Sequence, residues 1–551
     1  MTDTDLPRRR VLAAVGSAGA VAGCSALTDD GSSGEGTADD GETETPATTA
    51  TDAERAEPEP RIAGLTADPA DAAQTDTVIV TLTVANDGDG EFAGELAIAG
   101  SNGVPTSAPV TIAPGDTETL TVERELMRAG EQSVRAAVLR DGDAVVRDEV
   151  SVTVRPSPSS FVGVEGSSFE LRGDPLCYSG GHAIGNMLVP RTSTEAFEYD
   201  YSDAYDGAHY VEDTLRYASD LGLTVLRTYA YNPPWSDESP PTHAAPGEFN
   251  EQWFRHFDRV IAAAKRNGVR LVVPLMNHVE IQPPGPVPYA EWSDTVEGDG
   301  MTTRELNDAF FDDERANRYY EEYIEYVLTR ENHLTGVEYR NDPTIMLWEC
   351  GNEIEYHTAD RRGDSLASWY DRVASFIKSV DDNHLVGTGM YGSDERNDFV
   401  ADHRSDAIDA CSFHLYPKQA NWSDLQAEPY GEAEPWNDMS VEETTAYIRG
   451  KVETARDELD KPAYLGEFGI PEFPEIYGWD LALRNRFFEA VYETAAEIDL
   501  GGVNAFDLAL NRKYTGEVNI TDGRETIAIY PDDGTCSLVE SYSRTVADKR
   551  E

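Results

Sequence analysis

The sequence predicts an α/β architecture: a (β/α)8 barrel of the TIM type, preceded by a small all-β sandwich. Three observations carry this. Over residues 161–551, short apolar runs near 176–182, 223–229, 269–276, 344–350, 385–390, 408–414, 462–467 and 502–507 alternate with helical patterns. Over residues 61–155, apolar and polar positions alternate instead. Two of the barrel runs, Ile345-Met346-Leu347-Trp348-Glu349-Cys350-Gly351-Asn352-Glu353 and Ala463-Tyr464-Leu465-Gly466-Glu467-Phe468-Gly469, end in carboxylates. Parallel strands alternating with helices close into a barrel, and their C-terminal ends ring one mouth. An open doubly wound sheet is the rival, but no glycine-rich phosphate turn follows the first strand.

Residues 1–24 read as a targeting segment. Arg8-Arg9-Arg10-Val11-Leu12 matches a twin-arginine export signal, and Val11 to Ala22 is an apolar stretch. It is shorter than the roughly 20 residues that span a bilayer. Val21-Ala22-Gly23-Cys24 then matches a lipoprotein box with Cys24 as the lipidated residue. The expectation is export to the cell surface and contact with the membrane only through that anchor. Residues 25–60 are acidic and rich in Thr, Gly, Ala and Pro, with almost no large apolar side chain, so they are expected to form a disordered linker.

Residues 61–155 contain short strands at Val78–Val84, Glu95–Ala99, Glu118–Val122, Val134–Leu139 and Val150–Val154, separated by turn signals. The stretch resembles the immunoglobulin-like spacer domains of surface proteins, with Asn86 to Gly90 and Ala113-Pro114-Gly115-Asp116 as turns. Phe92 is its one aromatic residue, so a spacer is expected in preference to a sugar-binding module. Arg155 to Ser160 is a linker. Phe161 to Gly173 reads as a hairpin that could cover the barrel floor, and Trp253 to Asn267 and Ala316 to Arg330 read as helices.

The chain has 103 acidic and 44 basic residues, a formal charge of −59. Such a surface repels phosphates and excludes nucleic acid as a partner. Its expected use is solubility at high salt, where repulsion is screened. Cys177, Cys350, Cys411 and Cys536 are widely spaced without a CxxC pair, so no metal site is expected, and sequence leaves their pairing open.

The two carboxylate-ending runs carry the chemistry. Strands four and seven lie on opposing sides of an eight-stranded barrel, so Glu353 and Glu467 can face one another across the mouth. Two carboxyls about 5–5.5 Å apart cleave a glycosidic bond with retention, one as proton donor and one as nucleophile. Glu349, deeper in the strand, and Glu355, beyond its end, are rivals for the role of Glu353.

Asn352-Glu353 after Trp348, together with Glu467-Phe468-Gly469, resembles the acid/base and nucleophile signatures of glycoside hydrolase family 5. Within it the chain is most similar to endo-β-1,4-mannanases, through Phe169 to Gly173, Leu223 to Tyr229, Asn341 to Glu349, Val380 to Val386, Ile408 to Pro417 and Lys461-Pro462. The resemblance implies Glu353 as acid then base, its carboxyl resisting ionisation through partial burial. It implies Glu467 as nucleophile, kept ionised by Arg227. Asn352 would hold the sugar 2-hydroxyl, Tyr416 would hydrogen-bond Glu467, His414 would line the same wall, and Asn277 matches the first of an Asn-Asn pair after strand three. No cofactor is implied.

The chain departs from the family in three places. Ile354 stands where proline usually follows the acid/base, and His278 replaces the second Asn. Phe506 falls where a tryptophan usually floors the central subsite, offering a smaller stacking face. Asp507 beside it could contact a substrate hydroxyl. Trp235, Trp292, Trp422, Trp436 and Trp479 fall in expected loops, and Trp422 is the best candidate for stacking on a sugar. The reading is a monomeric endo-acting hydrolase of a β-1,4-mannan-type polysaccharide. A β-1,4-glucanase or other β-glycan hydrolase, and a non-catalytic glycan-binding surface protein, remain the alternatives.

Overall fold

The computed structural model describes residues 56–99, 105–183, 207–231, 242–277, 285–419, 435–474, 477–510 and 527–549. The chain divides into two compact units, the second containing residues 154–551. In the first, Pro60–Asp68, Thr77–Asn86 and Thr117–Glu125 pair as one antiparallel sheet. Asp71–Ala73, Asp143–Arg155, Gly130–Arg140, Phe92–Ala99 and Pro105–Ile112 form a five-stranded one in that order. Alternation decides which side chains go in. Val78, Val80, Leu82 and Val84 are fully buried, whereas Thr81 and Thr83 pair with Thr121 and Thr119 on the exposed face. Asn86 is buried and donates to Gly90 O (2.6 Å) and Ile112 O (3.0 Å), which closes the turn expected at this place.

The second unit is a barrel. Its strands are β1 (Tyr178–His182), β2 (Val225–Arg227), β3 (Arg270–Pro274), β4 (Ile345–Glu349), β5 (Leu385–Gly387), β6 (Cys411–Leu415), β7 (Ala463–Phe468) and β8 (Gly502–Ala505). They form one parallel sheet in the order β5-β4-β3-β2-β1-β8-β7-β6, and a parallel bridge from Gly387 to Ala410 joins its ends. The helices α1 (Gly207–Asp220), α2 (Glu251–Arg266), α3 (Glu314–Thr329), α4 (Ala367–Val380), α5 (Val441–Leu459), α6 (Leu481–Glu497) and α7 (Cys536–Asp548) follow in chain order. Helix α2 shows why such segments start and stop. The Asn250 side chain accepts from Trp253 N at 3.2 Å at its start, and Gly268 at φ 67° lies just past its end. All five residues of β4 are buried, as a strand covered on both faces requires.

The barrel floor is closed by three short strands, Gly163–Glu165, Ser168–Leu171 and Asp174–Leu176, rather than by a simple hairpin. Phe169, 1% exposed, packs its ring on Tyr178 and Tyr464. Among the described residues Cys177, Cys350, Cys411 and Cys536 form no disulfide. Among the described residues no helix is long and apolar enough to cross a membrane. Cys24, Trp235, His278 and Trp422 lie outside the described residues.

Candidate active site

β2 ends on Arg227, the chain after β4 reaches Asn352 and Glu353, β6 carries His414 and leads to Tyr416, β7 carries Glu467, and β8 leads to Phe506. Because the strands are parallel, all these side chains come to one mouth.

The segment after β4 is held from both sides. Asn352 N donates to Met276 O (2.7 Å) next to β3, and Glu353 N donates to Gly389 O (2.8 Å) next to β5. Glu353 has φ 50°, a left-handed conformation uncommon for glutamate, which those two bonds maintain. Gly389 makes the approach possible: a Cβ there would lie 2.1 Å from Gly351 O.

Glu353 Oε1 lies 2.8 Å from His414 Nδ1, and its Oε2 lies 3.4 Å from Arg396 Nη1. Glu467 sits in a different environment. Its Oε1 accepts from Arg227 Nη1 (2.6 Å) and Tyr229 OH (3.2 Å), and its Oε2 accepts from Tyr416 OH. His414 Nδ1 is also 3.6 Å from Glu467 Oε2, so this ring stands between the two carboxylates. One oxygen of each glutamate and a ring nitrogen of His414 lie within 4.8 Å of one another. Gly466 leaves room for that ring, since a Cβ there would fall 2.8 Å from His414 Nε2.

Arg227 is fully buried and organises the layer beneath. It donates to Glu349 Oε2 through Nε (2.9 Å) and Nη2 (2.7 Å), and to Asn352 Oδ1 (2.8 Å). Burial works against its charge, but Glu349 and Glu467 outweigh that and hold the guanidinium protonated well above its ordinary range. Asn352 in turn donates to Asn277 Oδ1 at 2.8 Å. Glu349 is thus the counter-ion of Arg227, saturated further by Tyr464 OH at 2.7 Å. Two carboxylates face each other in the mouth, one surrounded by donors and one beside a histidine. That pair can protonate a leaving oxygen and attack the carbon it leaves.

Residues 159–508 match the family described as "GH family 5 beta-mannosidase-like". The chain belongs to glycoside hydrolase family 5. Its relatives include the mannan endo-1,4-beta-mannosidase 2 of Arabidopsis thaliana, 32% identical over 356 residues, which cover 61% of this chain and 74% of that one. Mannan endo-1,4-beta-mannosidase 1 of Solanum lycopersicum is 31% identical over 380 residues, 66% of this chain and 86% of that one. Among solved structures, the endo-1,4-beta-mannanase of Rhizomucor miehei shares the fold at TM-score 0.52 and 24% identity, over 71% of this chain and 100% of that one. This chain is a glycosidase on an eight-stranded parallel barrel.

In this family 5 glycosidase the structure brings together Glu353, Glu467, Arg227, Asn277, Asn352, His414 and Tyr416. Phe506 joins them through its ring, 5.6 Å from Tyr416 and 4.7 Å from His182 between centroids. Trp292 packs against Tyr289 and His243, and Trp479 against Phe473, whereas Trp436 is 58% exposed. Three residues at the mouth escaped the sequence reading. Tyr229 contacts Glu467; its signal was its place two residues after Arg227, on the same side of a strand end. His182 ends β1, with Nε2 3.8 Å from Glu467 Oε1 and Nδ1 3.4 Å from Asp507 Oδ1. Burial, reinforced by Arg227, pushes its pKa well below the ordinary 6.5, so the ring is neutral. Arg396, in the loop after β5, carries no strand-end signature.

Proposed function

We propose that this family 5 glycosidase is a retaining endo-β-1,4-mannanase that works by double displacement. The observation that carries the mechanism is the spacing: an oxygen of Glu353 and one of Glu467 lie within 4.8 Å, nearer the roughly 5–5.5 Å of retaining pairs than the roughly 6.5–9.5 Å at which inverting pairs stand. Glu353 donates its proton to the glycosidic oxygen as Glu467 attacks the anomeric carbon. The bond to the leaving sugar breaks and an ester to Glu467 forms. Glu353, now a base, takes a proton from water, and the hydroxide attacks the same carbon and releases Glu467. Asn352, held by Arg227 and Asn277, faces the position of the 2-hydroxyl. The plant relatives named for mannan support the substrate.

The same proposal has the enzyme exported by the twin-arginine route, anchored through Cys24, and carried on an immunoglobulin-like spacer at residues 61–155. Assay against β-mannan and cellulose in molar salt tests the substrate. Reducing ends released from mannan with a rapid fall in viscosity are expected. Release from cellulose alone would move the reading to β-1,4-glucan, and release from no β-glycan would make this a binding protein.

A further inference from the structure

We propose that Arg396, shared between Glu353 and Glu355, is a positioning residue that sets the protonation of the acid/base carboxyl, with Glu355 as its counterweight. The proposal rests on Glu353 being that acid/base. Arg396 Nη1 lies 3.4 Å from Glu353 Oε2, and Arg396 Nε lies 3.5 Å from Glu355 Oε2. The guanidinium also lies over the Tyr391 ring, 4.1 Å from its centroid, which fixes it above the mouth. One cation thus stands between two carboxylates and belongs fully to neither.

Comparison with Glu349 separates this arrangement from an ordinary structural ion pair. Both Glu349 and Glu355 are buried glutamates flanking Glu353 in sequence. Glu349 accepts hydrogen bonds from Arg227 and Tyr464. Glu355 Oε2, by contrast, has no hydrogen-bond partner, and its Oε1 is 3.9 Å from His357 Nδ1. A buried carboxylate left so poorly satisfied carries its charge only conditionally. Burial pushes the Glu355 carboxyl up to about 7, against the pull of Arg396 and Arg362 and with the help of Glu353 and Asp308. Below that pH Glu355 is neutral and the whole Arg396 charge faces Glu353. Above it, the two anions share the cation.

The other groups around Glu353 come from several elements. His414 and Glu467 face it from β6 and β7. Tyr391 faces it from the β5 loop, Tyr229 from the end of β2, Tyr416 from beyond β6, and the neutral His182 from β1. Among the charged neighbours, Arg396 and Glu355 are the pair whose removal leaves the nucleophile's own contacts intact.

The test is the pH profile of kcat/KM for the full chain at constant molar salt. The substrates are a β-1,4-manno-oligosaccharide, which needs the acid, and an aryl β-mannoside with a good leaving group, which does not. The alkaline limb on the oligosaccharide reports loss of the acid's proton in the free enzyme. Arg396→Gln removes the cation and should move that limb up by about half to one pH unit. Glu355→Gln leaves the cation to Glu353 alone and should move it down by a similar amount. Arg396→Lys should restore the wild-type limb. On the aryl substrate all three should follow the wild type more closely. Lower rates with the limb unmoved in the Gln variants, or shifts in the same direction in both, would overturn the proposal. A wild-type enzyme that cleaves no manno-oligosaccharide would sink the functional reading instead, so the two failures are distinct.

Discussion

Glu353 and Glu467 differ in what surrounds them, and that difference supports the roles proposed for them. Three donors converge on Glu467, whereas Glu353 meets a histidine at 2.8 Å and an arginine at 3.4 Å. A nucleophile must stay anionic and aimed at carbon, and hydrogen bonds from Arg227, Tyr229 and Tyr416 do both. Removing it with Glu467→Ala should cut turnover of mannan by roughly 10⁴-fold or more, with azide restoring cleavage of an activated substrate as the product of inverted configuration. Glu353→Ala should lose about 10²- to 10⁴-fold on mannan yet keep much of its rate on an aryl mannoside. Equal loss on both substrates, without rescue in either variant, would contradict the assignment. At this scale much was legible. A strand-end Asn-Glu distinguishes Glu353 from Glu349 by depth along β4, and Glu349 turned out to be the partner of Arg227. His182 and Arg396 were not legible, because their roles depend on side chains brought near by the fold rather than by the chain.

Strands and helices fix where those residues stand, and a buried histidine shows how firmly. His403 ends the short helix Phe399–Asp402 and ties it to β6. Its Nδ1 donates to Phe399 O at 2.7 Å, and its Nε2 accepts from Ser412 N at 3.1 Å. That pattern requires the neutral ring, and burial pulls its pKa from 6.5 to about 3. Protons therefore bind the unfolded chain first, and the stability His403 contributes is present above pH 6.5 and lost as pH falls toward 3. Denaturant titrations should show the stability gap between wild type and His403→Gln shrinking between pH 7 and 4; a gap constant with pH would refute the neutral, hydrogen-bonded role, in which Thr388 Oγ1 also lies 2.8 Å from Nε2. The barrel strands were readable because burial on both faces makes them continuous apolar runs. The N-terminal strands were read less fully. Pro105–Ile112 and Pro60–Asp68 are edge strands, where prolines and half-exposed positions blur the alternation that marks a strand.

For the whole molecule, the charge balance predicts that folding depends on salt. The surplus is 103 acidic against 44 basic residues, a difference of 59, and several of the cations are already committed at buried positions. Arg227 and Arg484 are fully buried, and Lys265 is 5% exposed beside Asp342. Carboxylates therefore far outnumber the cations left to pair with them, and their mutual repulsion favours the expanded chain unless salt screens it. At about 1 M salt the Debye length is about 3 Å, shorter than most spacings between surface charges, while at about 0.01 M it is about 30 Å and the repulsion reaches across the molecule. The buried contacts around Glu467 are screened much less, so salt should act on folding before it acts on chemistry. Circular dichroism and activity followed together from molar to about 20 mM salt should fall in one transition, and both should return when salt is restored. Full native ellipticity retained at low salt would show that the acidic surface serves solubility without being needed for the fold.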